Sequence, residues 1–175
     1  MSIDFLELIT KSHLVLVFTA FSADTFDLIL ALLSQGFKTD NIKICMAVSN
    51  SVNYLCEYLY KVIQRDEKPG YQQAVSARMA ELLQLILEIV LTEDNNFMWT
   101  LSKPLLGLII ICEMQYEQVR NFVVQKVLAD AGKQEKVLQA FLGLMNGVSR
   151  SLDIKNRDKF SRNFSELRQV VISLG

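Results

Sequence analysis

Along most of this chain the apolar residues recur at three- and four-residue steps, the spacing that puts one face of an α-helix against a core. The clearest stripe is Ile44, Val48, Val52, Leu55, Leu59 and Val62, with Lys43, Asn50, Asn53, Glu57 and Lys61 on a more polar side. It predicts the longest helix of the chain, opened by a cap at Thr39 or Asp40 and ending near Gln64. Before it, Ile3, Leu6, Ile9 and Leu14 predict a helix over about 3–20. The run from Leu14 to Phe18 would also suit a buried strand, but no partner strand shows elsewhere, so helix is preferred. Ser22 as cap and Asp24 in the first turn then start a helix to about Ser34, with Gly36 as its C-cap glycine.

Arg65-Asp-Glu-Lys-Pro69-Gly70 is the plainest loop. A helix over 71–92 follows, turning Met79, Leu82, Leu83, Ile86 and Val90 inward, and Thr92 to Asn96 breaks it. The stretch Asp94 to Cys112 holds the only Trp and the densest apolar run. Two placements of Pro104 stay open there. It sits in a first turn capped by Ser102, where its missing N–H costs nothing, or it kinks a helix begun near Asn96. The helix continues toward Met114, and Trp99 is expected in the core between paired helices. Then come a helix from Tyr116 to about Leu128, ending near Gly132, and one from Lys133 to Leu152 with Val137, Phe141, Leu144, Met145 and Val148 inward. The last, from Asp153 to Leu174, is built on Phe160, Phe164, Leu167 and Val171.

Seven or eight helices of roughly 12–25 residues, joined by short connections that make neighbours antiparallel, are therefore expected. Several are apolar around most of their circumference, which a stack of helical hairpins accommodates more readily than a compact bundle. Pairs recur at roughly 40-residue intervals (22–65, 71–112, 116–152), within the range of HEAT and armadillo units. The expected fold is an all-α solenoid of antiparallel helical hairpins, with 1–175 as a single segment.

Composition supports that picture and removes several function classes. Residues are 51% hydrophobic and 21% charged, with 2 Pro and 7 Gly, so loops are few. A net charge of −1 supplies no general pull toward nucleic acid or an anionic membrane, and neither is expected as a partner. The apolar run from Leu14 to Phe37 is interrupted by Asp24 and Asp27, and Leu105 to Cys112 is too short to span a bilayer. Asp4 and Glu7 stand where a signal peptide would be basic. Cys45, Cys56 and Cys112 form no CxxC and are expected as buried thiols, not metal ligands.

Candidate chemistry is sparse. His13 is the only histidine, and no nucleophile signature accompanies it. HExxH, Gly-rich phosphate loops and paired Cys ligands are absent, so neither catalysis nor a cofactor or metal is expected. Asp24 and Asp27 suit a helix start better than an acid–base pair. Arg150, Lys155, Arg157, Lys159, Arg162 and Arg168 form a basic set near the end of the chain, interleaved with Asp153, Asp158 and Glu166. Candidate partner contacts are Lys155, Arg157 and Lys159 in that set, with Asn50 and Asn53 on the long helix, where a solenoid would present a concave surface.

Two blocks carry a family resemblance. Trp99-x-x-Ser102-Lys103-Pro104-Leu105-Leu106-Gly107-Leu108-Ile109 is similar to the carboxy-terminal region of the exportin 7 family, also called Ran-binding protein 16. There a Trp precedes Ser, a basic residue and Pro-Leu-Leu-Gly-Leu-Ile. Lys155-Asn156-Arg157-Asp158-Lys159-Phe160, followed by Asn163 and Arg168, resembles the family's Lys-Asn-Arg-Asp-Arg-Phe block, in the same order and at about the same distance. Lys133-Gln134-Glu135-Lys136 lies between them before a similar helix. The resemblance runs from about residue 38 to 175 and departs between Ile110 and Gln134. It implies a carboxy-terminal HEAT-repeat segment of a longer importin-β-like (karyopherin) receptor, shuttling between nucleus and cytoplasm. Such a receptor carries protein cargo through the nuclear pore, touching pore proteins, under control of Ran-GTP bound by repeats outside this segment. The alternative is a stand-alone helical adaptor without Ran-dependent transport.

Overall fold

A computed structural model describes residues 23–65, 71–92 and 98–174. Among them are seven α-helices and one 3₁₀ turn, with no strand: α1 (Ala23–Phe37), α2 (Ile42–Gln64), α3 (Tyr71–Thr92), the turn Met98–Leu101, α4 (Ser102–Ile111), α5 (Glu113–Val127), α6 (Ala131–Leu144) and α7 (Ile154–Leu174). The expected helix over 3–20, the Ser22 cap, His13 and most of the loops at 66–70 and 93–97 lie outside the described residues.

The stripes place the helices as their spacing dictates. On α2, Val48, Val52, Leu55 and Leu59 are buried, and on α3 Met79, Leu82, Leu83, Ile86 and Val90 are fully enclosed. Helix α1 packs on α2, α3 on α4 and α6 on α7. Across those pairs α1 meets α3, α3 meets α5, α2 meets α4, and α4 meets α7, while α5 touches α6. Contacts within pairs and between like members of successive pairs agree with an all-α solenoid, in which each unit buries its face on the next.

Several boundaries differ from expectation, each for a local reason. Helix α1 runs through Gly36 to Phe37, so Gly36 is no left-handed cap. Its lack of a side chain lets α1 approach α2, since a Cβ there would stand 2.4 Å from Val48 Cγ2. Replacing Gly36 with alanine is expected to cost about 1–3 kcal/mol by overpacking, despite the usual helix gain of about 0.5–1 kcal/mol. With Val48 also cut to alanine the next nearest atom, Val48 Cβ, is at 3.5 Å. Urea denaturation of both singles and the double should therefore show favourable coupling of at least about 1 kcal/mol. A Gly36→Ala protein as stable as the parent would refute the close-approach account.

The cap of α2 is neither Thr39 nor Asp40 but Asn41. Its Oδ1 accepts from the backbone N–H of Lys43 at 3.0 Å and of Ile44 at 3.4 Å, while Thr39 Oγ1 accepts from Asn41 N. Pro104 takes the first of its two placements, in the first turn of α4. Ser102 is helical, however, and its hydroxyl donates to Trp99 O at 3.1 Å and meets Ser161 Oγ at 3.1 Å. Helix α4 stops at Ile111 instead of running toward Met114. Cys112 leaves helical geometry at φ −92°, ψ 27°, and the chain resumes at once as α5, with Tyr116 N donating to Cys112 O at 2.8 Å. The bend sends α4 toward α2 and α5 toward α3. Helix α6 ends at Leu144, not Leu152, and the following turn contains Gly147 at φ 61°, left-handed backbone that favours glycine.

All three cysteines are buried and unbridged, as expected. Burial pushes the Cys112 thiol up to about 12, opposed by its hydrogen bond to Ser76, and raises Cys56 well above the ordinary thiol range. Both therefore pack as neutral small side chains. Trp99 is not in the core. It is 66% exposed, although its neighbour Leu101 is fully buried. No described helix is long and apolar enough to cross a membrane.

Candidate partner-binding surface

The block Lys155–Phe160 divides by helical geometry into an inner and an outer set. Asn156, Phe160 and, in larger part, Arg157 turn inward, while Lys155, Asp158 and Lys159 are exposed. Asn156, 7% exposed, ties down the turn that launches α7. Its Oδ1 accepts from Ser149 N at 2.7 Å and from Ser149 Oγ at 3.1 Å; its Nδ2 donates to the carbonyls of Ser149 and Ser151. Asp153 closes the turn, accepting from Asn156 N at 2.8 Å and from Ser151 Oγ at 2.7 Å. Those hydrogen bonds, the one from Ser151 first, hold the Asp153 carboxyl below its ordinary value. Asn163, one turn past Phe160, donates to Leu144 O at 2.9 Å and Asn146 O at 3.2 Å and so holds α7 to the end of α6.

Arg157 is brought by this turn against α2. Its Nε donates to Leu152 O at 2.7 Å, its Nη1 to Asn53 Oδ1 at 3.2 Å and its Nη2 to Glu57 Oε1 at 2.8 Å. Asn53 and Glu57, four apart on α2, are themselves joined by Asn53 Nδ2 donating to Glu57 Oε1 at 3.0 Å. A planar guanidinium with three acceptors on two elements is a geometry a lysine would not reproduce. Beside this cluster opens a cleft of about 440 Å³ walled by Tyr60, Lys61, Leu152 and Ile154. Tyr60 donates to Arg150 O at 3.1 Å across its mouth.

The structure thus joins Asn53 and Arg157, 104 residues apart in sequence, in one interior network, and leaves Asn50, Lys155 and Lys159 on the exposed side of their helices. Lys159 lies over Gly147, its Nζ occupying the space where a Cβ would be. The rest of the basic set scatters. Arg150 pairs with Glu113, Arg162 is exposed, and Arg168 is buried with its guanidinium donating to Val90 O on α3. Asp24 and Asp27 do not form a working pair: Asp27 makes a surface ion pair with Arg78 at 3.4 Å. Glu57 and Asn156 carry as much of this junction as the residues singled out from sequence. The four-residue spacing of Asn53 and Glu57 was the one available sign of it.

What this junction can do is hold shape and present charge; nothing in it is poised for bond-making. Among the described residues no three Cys, Asp or Glu side chains gather as a metal site. The chain is similar to known proteins. The chain is 28% identical to mouse Ran-binding protein 17 over 181 aligned residues, covering 95% of this chain. It is 27% identical to Exportin-7-B of Xenopus laevis over 179, again 95% of the chain. The chain is thus similar to exportin-7 and its Ran-binding relatives over nearly its whole length. Drosophila Ran-binding protein 16 is 32% identical over 99 residues, 57% of the chain. A match over 95% of the chain cannot stop at residue 38, so the likeness reaches further toward the amino terminus than the two sequence blocks indicated. The chain spans 16% of the length of the mouse and frog relatives. Those relatives are named for Ran binding and for export. No family model and no solved structure matches the chain.

Proposed function

We propose that this chain is a carboxy-terminal segment of HEAT-like hairpins in an exportin-7-like nuclear transport receptor, with binding and not chemistry as its mechanism. The observation that carries this is the similarity over 95% of the chain to proteins of which it spans only 16%. Paired helices whose members meet the like members of the next pair support it, because such a stack bends without losing its core. The receptor shuttles between nucleus and cytoplasm and carries protein cargo past nuclear pore proteins. Ran-GTP, bound by repeats outside this segment, shifts its curvature and hence its affinity for cargo, through different contacts with the two shapes. Asn50, Lys155 and Lys159 supply outward-facing contacts, while Asn53 and Arg157 keep α2 and α7 at a fixed separation.

A segment exchange tests this. Xenopus Exportin-7-B carrying this chain in place of its matching segment is expected to recover cargo with a Ran-GTP response close to the parent's. A version with the segment deleted is expected to lose most of that response. A chimera that folds but behaves like the deletion would remove this chain from Ran-controlled transport and favour a stand-alone helical adaptor.

A further inference from the structure

A second cleft, of about 450 Å³, opens between α4, α5 and α6 and is separate from the α2–α7 junction. Ile109, Ile110, Leu142, Met145 and Val148 give it apolar walls, and Leu142 is 59% exposed. Two hydrogen-bond donors at its lining are incompletely used. Tyr116 Oη is buried without a hydrogen-bond partner among the described residues. Arg120 is only 9% exposed and lies over the Tyr116 ring, its guanidinium carbon 5.7 Å from the centroid. Its Nε and Nη2 both donate to one oxygen, Asn121 Oδ1, at 3.1 and 2.9 Å. The nearest carboxylate, on Glu117, stands 3.8 Å away with its side chain 80% exposed.

A buried hydroxyl and a buried cation left short of acceptors cost free energy in the free protein, and that cost is recovered when an acceptor arrives. We propose that this cleft docks a protein segment bearing a glutamate or aspartate beside bulky apolar residues, its carboxylate accepting from Arg120 and Tyr116. The donors call for an anionic acceptor, and the walls call for apolar neighbours on either side of it. Glu117, being solvated, yields its loose contact at little cost. Glu113 pairs with Arg150 at the rim and Glu117 stands beside Arg120, so the lining has no surplus of positive charge to hold a polyanion, which argues against a nucleic-acid backbone as the occupant. Burial pushes the Tyr116 phenol up to about 12, opposed by the charge of Arg120 and by a hydrogen-bonding contact with it; a guanidinium can only donate, so the hydroxyl's own proton is left without an acceptor and the group remains a donor at neutral pH. The proposal stands apart from the transport role, since it concerns what the cleft recognises.

Fluorescence anisotropy on the full chain tests it, using a labelled short peptide with a Leu-Glu-Leu-Leu core and the same peptide with Gln for Glu. The acidic peptide is expected to bind with Kd of about 10–100 μM and the Gln peptide about tenfold more weakly. Tyr116→Phe should weaken the acidic peptide about 3–10-fold while leaving Tm nearly unchanged, because the hydroxyl proton has no acceptor to lose in the free protein. Arg120→Gln should abolish the preference for Glu over Gln; if that variant fails to fold, Tyr116→Phe decides. Absence of saturable binding, equal affinity for the two peptides, unaltered binding by Tyr116→Phe, or displacement of the peptide by oligouridylate would each overturn the proposal.

Discussion

Phe160→Ala is expected to destabilise the protein by about 3–5 kcal/mol, the range for emptying a fully enclosed aromatic site. Phe160 has no exposed surface and sits in the middle of the face that α7 turns toward α6 and α4. Two features of this site put the cost toward the upper end. Asn163 pins α7 to the carbonyls of Leu144 and Asn146, and Arg157 pins it to α2, so the helix is held at both sides of the vacancy and collapses poorly into it. Leu144, Phe141 and Leu167 around the same interface are likewise buried to within about 1% of their surface. Urea denaturation followed by circular dichroism should show the midpoint falling with the slope unchanged. Phe160→Leu, which keeps most of the volume, should cost less than half as much. If Phe160→Ala fell within about 1 kcal/mol of the parent, the described packing of α7 would be wrong.

The elements most legible in the sequence were those bounded by polar runs. Helices α2 and α3 end where expected, at Gln64 and Thr92, because a run of polar residues follows each apolar pattern there. The stretch from Leu105 to Cys112 was harder for the opposite reason. Nearly every residue of α4 is buried, so there is no period to follow, and the break at Cys112 uses neither Gly nor Pro. Tertiary packing sets that bend, α4 going to α2 and α5 to α3. Trp99 departs from its expected core position because size and apolarity alone do not require burial, and the buried residue of that 3₁₀ turn is Leu101. At the start of α2, Thr39, Asp40 and Asn41 are all competent caps, and only the register of the helix selects Asn41.

The candidate surface was legible in a more limited sense. Sequence singled out Asn53 and Arg157, but nothing local could show that they meet, since the contact depends on α7 returning to α2 after 104 residues. The same holds for Asn156, whose four hydrogen bonds run to a turn that was expected to be helical. That expectation failed at Gly147, where the left-handed backbone ends what the apolar spacing of Val148 and Leu152 would have continued.

Arg157→Ala is expected to cost about 2–3 kcal/mol, and the way that cost divides separates a clamp from a contact surface. Removing the guanidinium leaves Asn53 Oδ1 and one Glu57 oxygen without their strongest donor. Leaving a charge-assisted acceptor unpaired inside a protein costs up to about 3–5 kcal/mol. The side chains of Arg157 and Glu57 are 18% and 34% exposed, so water recovers part of that and the lower figure applies. Arg157→Lys should retain more than half the loss, because an ammonium cannot reach Leu152, Asn53 and Glu57 together. A double-mutant cycle with Glu57→Gln should give coupling of about 1–2 kcal/mol, only weakly reduced by added salt because the pair is partly enclosed. The exposed lysines supply the contrast. Lys155→Glu with Lys159→Glu should change stability by no more than about 0.5 kcal/mol, since neither makes an interior contact to lose. In the Exportin-7-B chimera, that same double variant is expected to weaken partner capture, whereas Arg157→Lys should lower stability first and capture only in proportion to the unfolded fraction. Negligible coupling between Arg157 and Glu57, or a charge reversal at Lys155 and Lys159 as destabilising as Arg157→Ala, would reverse this assignment of inner and outer roles.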